Sequence, residues 1–201
     1  MVLNVTDDES ARAALRGPRW SITDAAANVP DSPGVYAIYG NDQAWSQLGL
    51  ERRADALLYV GKAEDSLVRR ELRGHFAAAT QRARTGSSTV RRSFAALLHD
   101  TLGLRGVPRN LAKPGYFGNF GLSSEHDVLL TGWMHEHLTL AVWPASGLTG
   151  PLRYTESAII IRWTPPLNLA GNPRPAPGLS AARARMAAEA RAWSAGQRLE
   201  S

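Results

Sequence analysis

The chain has no cysteine, so disulfides, thiolate zinc sites and a cysteine nucleophile are all excluded. Lysine is nearly absent: of 23 basic residues only Lys62 and Lys113 are lysine. Long apolar runs are missing too. Stretches such as Ala158-Ile159-Ile160-Ile161 fall far short of the ~18 residues that a membrane span needs. The amino terminus, from Met1 to Ser10, carries neither a positive n-region nor an apolar h-region, so no secretory signal is expected. A cytoplasmic protein with no membrane partner is the simplest expectation.

What remains is an ordinary globular composition. At 201 residues and 44% hydrophobic, the chain fits one decorated domain or at most two small ones. The net charge is +5, and arginines gather at 69–73, 82–84, 91–92, 105–109 and 183–191. A basic surface of this kind suits a polyanion such as nucleic acid, or is simply a solvated face.

Turn and periodicity signals divide the chain. Residues 1–31 read as a lead-in, with a short helix over Glu9 to Leu15 stopped by Gly17-Pro18. The cluster Pro30-Asp31-Ser32-Pro33-Gly34 sets a first strand, Val35 to Tyr39, and Leu57 to Val60 form a second. A helix follows from Asp65 or Ser66. Residues 77–136 read as an α-rich insertion, with one helix from Ser87-Ser88 and another reaching Met134 whose capping box begins at Ser124. Within that insertion, 103–122 reads as a long loop. His137 to Trp143 alternates as a strand, with Leu138, Leu140 and Val142 on one face. A helix over 151–163 opens on Pro151. Residues 171–201 are a Pro/Gly linker and a C-terminal Ala/Arg helix. The order β, β, α, insertion, β, α makes a small α+β domain over 32–170.

Two glycine-punctuated strand segments carry tyrosines, Gly34-Val35-Tyr36 and Tyr59-Val60-Gly61-Lys62. They are followed by Leu67-Val68-Arg69-Arg70, His75, Glu156 and Pro166-Leu167-Asn168. In this order the residues resemble the GIY-YIG nucleases, a family of homing endonucleases, restriction enzymes and the incision subunit of bacterial nucleotide-excision repair. The resemblance covers 33–76 and 137–170. Both signature tripeptides have valine in place of isoleucine, which keeps the β-branched core contact. The arginine-to-histidine interval is five where four is commoner, so Arg69 remains a rival to Arg70.

The resemblance implies a three-stranded antiparallel sheet flanked by helices, with Tyr36 and Tyr59 side by side on adjacent strands. It implies Tyr36 as general base, an arginine on the scissile phosphate, and Glu156 as sole protein ligand to one Mg²⁺ (or Mn²⁺). A phenol titrates near ~10, so a base role needs nearby positive charge such as Lys62, Arg70 or the metal. Alternatively the metal acidifies the water and Tyr36 only positions it. His75 is placed to protonate the leaving oxygen or to assist the base. Asn168 belongs to the same set, either within the site or as a turn residue bracing it.

The expected function is a metal-dependent DNA endonuclease, of restriction or defence type by preference. A structure-specific repair nuclease and a non-catalytic nucleic-acid-binding module are the alternatives. Substrate contacts are expected from Arg69 and Arg73, and from Ser88, Arg91 and Arg92 at the start of the insertion helix. Cutting both strands with one site per chain would require a homodimer or sequential nicking.

Overall fold

The computed structural model describes residues 5–70, 76, 85–110, 113, 115, 117–148 and 150–199. The chain order is α1 (Val5–Arg16), β1 (Trp20–Ser21), α2 (Ala25–Asn28), β2 (Gly34–Gly40), α3 (Asp42–Gln47) and β3 (Leu57–Ala63). It continues through α4 (Leu67–Arg70), α5 (Thr89–Leu97), α6 (Ser124–His137), β4 (Leu138–Pro144), α7 (Leu152–Trp163) and α8 (Leu179–Leu199). No helix among the described residues is long and apolar enough to cross a membrane.

The sheet is antiparallel throughout and has four strands, in the order β1-β4-β2-β3, where three were expected. The extra strand is the dipeptide Trp20-Ser21 from the lead-in, paired with Leu140 and Thr139. Two residues are too few for an alternating pattern to show, so its partner defines it rather than its own sequence.

Strand β2 is central and buried along its whole length, because both of its faces are covered. Val35, Ala37 and Tyr39 pack with Ala141 and Trp143 under α1 and α7. Tyr36 and Ile38 pack with Leu140 and Val142 against residues of α3, α5, α6 and α8. The expected alternation of β4 is present, with Leu138, Leu140 and Val142 on one face. The lead-in belongs to this body. Tyr39 donates its hydroxyl to Leu15 O at 2.6 Å, and Trp143 Nε1 donates to Ser10 Oγ at 3.3 Å.

Strand β3 is an edge, and it carries a bulge. Ile38 opposes Tyr59 while Tyr39 opposes Leu57, so Leu58 has no opposite number. The extra residue turns Leu58 and Tyr59 toward the same face, the one Tyr36 occupies. As an edge strand β3 has one side with no strand partner, which the segment after α7 partly covers. Helix α7 ends with Thr164 in the left-handed region at φ 48°, where Arg53 holds its last carbonyls by donating to Trp163 O and Thr164 O. Leu167 N–H then donates to Leu58 O at 3.0 Å.

Candidate active site

The two signature tyrosines lie on one face of the sheet, but diagonally and not side by side. Tyr36 opposes Gly61 and Tyr59 opposes Ile38, which sets their ring centroids 6.2 Å apart at a 35° tilt. The glycine is required by this packing. A methyl group at Gly61 would overlap the Tyr36 phenol oxygen and press to 2.9 Å on the Tyr59 ring. The two tyrosines differ in exposure: Tyr36 is 0% and Tyr59 7% exposed. Tyr39 is a contrast, since burial is the main cause holding its phenol up at about 12, so it stays neutral as a hydrogen-bond donor to the lead-in.

A cleft of about 510 Å³ is lined by Tyr59, Lys62, Ala63, Glu64, Asp65, Ser66, Arg69, Arg70 and Glu156. It runs from β3 to α7, so residues far apart in sequence share it. Ser66 prepares the basic wall. Its buried hydroxyl donates to Asp31 and accepts from the Arg69 N–H at 3.0 Å, capping α4 where Arg69 and Arg70 emerge. Glu156 stands half-buried on α7. Burial pushes its carboxyl above the usual range, Lys62 and Arg70 pull it back, and Glu64 adds to the rise. Arg70 is thus the arginine whose charge reaches Glu156. Lys62 is ion-paired to Glu64, so it sits between two carboxylates. Sequence reasoning missed Glu64, although its spacing of two from Lys62 on an extended segment was a signal for a shared side.

Asn168 does not line the cleft. Its side chain takes the place of a fifth strand, accepting from Val60 N–H at 2.9 Å and donating to Val60 O at 2.7 Å. The residue is 6% exposed, so both backbone groups of Val60 depend on it. It therefore acts on the cleft through the backbone beside Tyr59. Asn168→Ala is expected to cost about 2–3 kcal/mol, since two buried backbone groups lose their partner. A lowered denaturation midpoint with an unchanged m-value checks this.

The insertion residues expected to meet substrate are placed otherwise. Ser88 is buried and caps α5 by accepting from Arg91 N–H at 3.1 Å. Arg91 is 0% exposed and ion-paired to Asp127 at 2.7 Å, so it is a core cation and not a surface phosphate contact. Both corrections share one cause. The helix is covered on the side where the arginines project, because α6 and α8 pack there. Arg92 is 7% exposed and donates to Gly86 O at 2.8 Å and Thr89 Oγ1 at 3.2 Å. His75 and Arg73 lie outside the described residues. The α6 cap is Ser123, one residue before the expected position, with its hydroxyl accepting from His126 N–H.

Among the described residues no group of three or more His, Cys, Asp or Glu side chains is arranged to hold a metal. The cleft's donors fit an ion that needs few of them. A hard divalent cation such as Mg²⁺ takes one or two carboxylates and completes its shell with water and phosphate oxygens, and Glu156 offers the required oxygen. A model of the GIY-YIG catalytic domain family matches residues 34–185, about three quarters of the chain. No curated protein and no solved structure matches it.

Proposed function

The chain belongs to the GIY-YIG catalytic domain family, and from that premise we propose a metal-dependent endonuclease that hydrolyses phosphodiester bonds in DNA. The domain is of nuclease type, and the family generally uses divalent metal ions. The observation that carries the reading is the cleft between β3 and α7, where Tyr59, Lys62, Arg69, Arg70 and Glu156 meet.

Each side chain has work that suits it. Glu156 holds the cation, which when bound lowers the proton affinity of water and neutralises developing phosphate charge. Arg70 offers a planar fork to the equatorial oxygens of the scissile phosphate, with Arg69 beside it on the same rim. Lys62, held by Glu64, supplies a fixed positive charge toward Glu156 and the reacting phosphate. Tyr59 is the phenol that lines the cleft, so it positions the nucleophile or accepts its proton. Tyr36, wholly buried, acts by fixing Tyr59 and the backbone at Gly61. The order of effects follows. Tyr59→Phe is expected to lower cleavage by on the order of 10²-fold and Tyr36→Phe by less, both read as single-turnover rates on labelled duplex DNA.

Within this reading we favour a restriction or defence role over structure-specific repair. The insertion 77–136 builds α5 and α6 into the common core, which suits a nuclease whose substrate contacts belong to the catalytic body. Two-strand cutting would then engage a second copy of the chain or two successive nicks. Purified protein with Mg²⁺ or Mn²⁺ and supercoiled plasmid tests the proposal. Discrete fragments support the restriction role, and nicking confined to branched or damaged DNA supports repair. Binding without cleavage under either ion would leave only a binding module.

A further inference from the structure

Helix α8 carries an arginine, within electrostatic reach of Tyr59, that no motif marks. Arg183 is half-buried on the first turns of α8, which packs along α5. The loop after α5 also lies close to α8, since a methyl group on Gly106 would overlap the Met186 carbonyl. Arg92 projects from α5 into the same region, and Arg109 joins it at Gly86. Arg92 takes the Gly86 carbonyl, while the Arg109 stem lies where a Gly86 side chain would start, 2.6 Å from that position. Arg109 also donates to Ser87 Oγ at 3.4 Å.

Several arginines have a carboxylate partner. Arg12, Arg52, Arg53, Arg91 and Arg185 are each ion-paired, the last to Asp100 from the same helix as Arg183. Among the described residues no acid pairs with Arg92, Arg109 or Arg183. The Nε of Arg92 is buried and donates to no acceptor. Such a donor is costly to leave unsatisfied, and like charges held together raise that cost further. The cost shows in the titration of Arg92. Burial first, then the charges of Arg183 and Arg109, lower it to about 10, while Tyr59 opposes that fall. Arg183 is likewise lowered by burial and opposed by Tyr59. Tyr59 thus faces the cleft and also lies within electrostatic reach of this cluster.

We infer that Arg183, with Arg92 and Arg109, forms a second phosphate subsite, which takes a backbone phosphate of the nucleic-acid substrate other than the scissile one. The inference rests on the nuclease reading and extends it. It assigns the C-terminal helix, outside the signature motifs, a share in holding substrate. A phosphodiester supplies the missing negative charge and an acceptor for the buried donor. Its site, within electrostatic reach of Tyr59 but not among the cleft-lining residues, would anchor the strand so that the scissile linkage stays over Arg70 and Glu156.

Fluorescence anisotropy of labelled duplex DNA in EDTA, over a salt series, tests this with no turnover. Arg183→Ala is expected to weaken binding about 10-fold and to lower the slope of log K against log[salt] by about one phosphate's worth, ~0.9. Arg183→Lys is expected to restore the slope, because the charge is kept, which a purely structural role would not require. Thermal melts of both variants guard against misfolding. If folded Arg183→Ala binds with the affinity and slope of the parent, the subsite is overturned, whatever plasmid cleavage shows. If the parent protein neither binds nor cuts DNA, the nuclease reading itself fails and takes the subsite with it.

Discussion

Glutamine in place of Glu156 is expected to cut metal-dependent cleavage steeply while leaving the protein at least as stable near neutral pH. The two halves of this result come from one cause. Burial and the nearby Glu64 raise the Glu156 carboxyl above its usual range, against the pull of Lys62 and Arg70. A carboxyl whose folded titration lies above its unfolded one favours the fold only while protonated. Its contribution is fully present below the unfolded value and is lost as pH rises through the folded value. At neutral pH the anion is therefore a cost that the neutral amide avoids. The same anion is the hard oxygen that a divalent ion needs, and the amide is a weaker ligand. Cleavage is expected to fall on the order of 10³-fold, the upper range for losing one fixed electrostatic group. Activity of the parent is expected to rise with pH through the raised carboxyl titration, as the proton yields to the metal. A measurement apart from turnover completes the test. Mg²⁺ or Mn²⁺ should raise the melting temperature of the parent and not that of Glu156→Gln, because a ligand stabilises only the state that binds it. Equal metal-induced shifts in both proteins would remove Glu156 from the metal site.

Much of this was legible in the residues before the fold was known. The strands at Tyr36 and Tyr59, the alternating β4, Pro151 at the start of α7 and the helix start at Ser87-Ser88 are local signals with local causes. The meeting of Tyr59 and Glu156 in one cleft was legible only through the order of the motifs, since the two are nearly a hundred residues apart. Three things escaped, for different reasons. The strand Trp20-Ser21 exists because β4 offers it an edge, and two residues show no period. The diagonal offset of the tyrosines follows from register, which cross-strand partners fix and which composition does not show. The fate of Arg91 and Arg92 depended on what covers α5. Arginine beside an apolar stripe reads as exposed until a second helix buries that side as well. Glu64 and Arg183 show the same limit, since each becomes informative only once its neighbours are in place.

Asp127→Ala is expected to be the most destabilising single change considered, because it strands a cation in the core. Arg91, on α5, is completely buried against α6, and acceptors from α6 and from the turn before α5 surround it. Its Nη2 donates to Asp127 Oδ1 at 2.7 Å, Thr131 Oγ1 at 3.1 Å and Asp127 O at 3.2 Å, and its Nε donates to Thr85 Oγ1 at 3.2 Å. Thr85 and Thr131 are themselves tied to Asp127, by hydroxyl donation to Oδ1 and to the backbone carbonyl. Asp127 supplies the one negative charge among these groups. Removing it takes from the buried guanidinium the carboxylate it is paired with, a loss of about 3–5 kcal/mol for one broken buried pair. In a chain of this size that lowers the melting temperature by roughly 10 °C. Arg91→Met alone should also destabilise, by taking from the buried carboxylate the cation it is paired with. The double change Arg91→Met with Asp127→Leu should recover much of the loss, since a buried pair replaced by apolar groups of similar volume is often near neutral. Thermal melts of the three variants give the coupling between the two sites. A coupling near zero would mean that the pair does not hold α5 to α6. The same set separates stability from substrate contact. The double variant should keep the parent's salt dependence of DNA binding, because Arg91 spends its charge on Asp127 and not on phosphate.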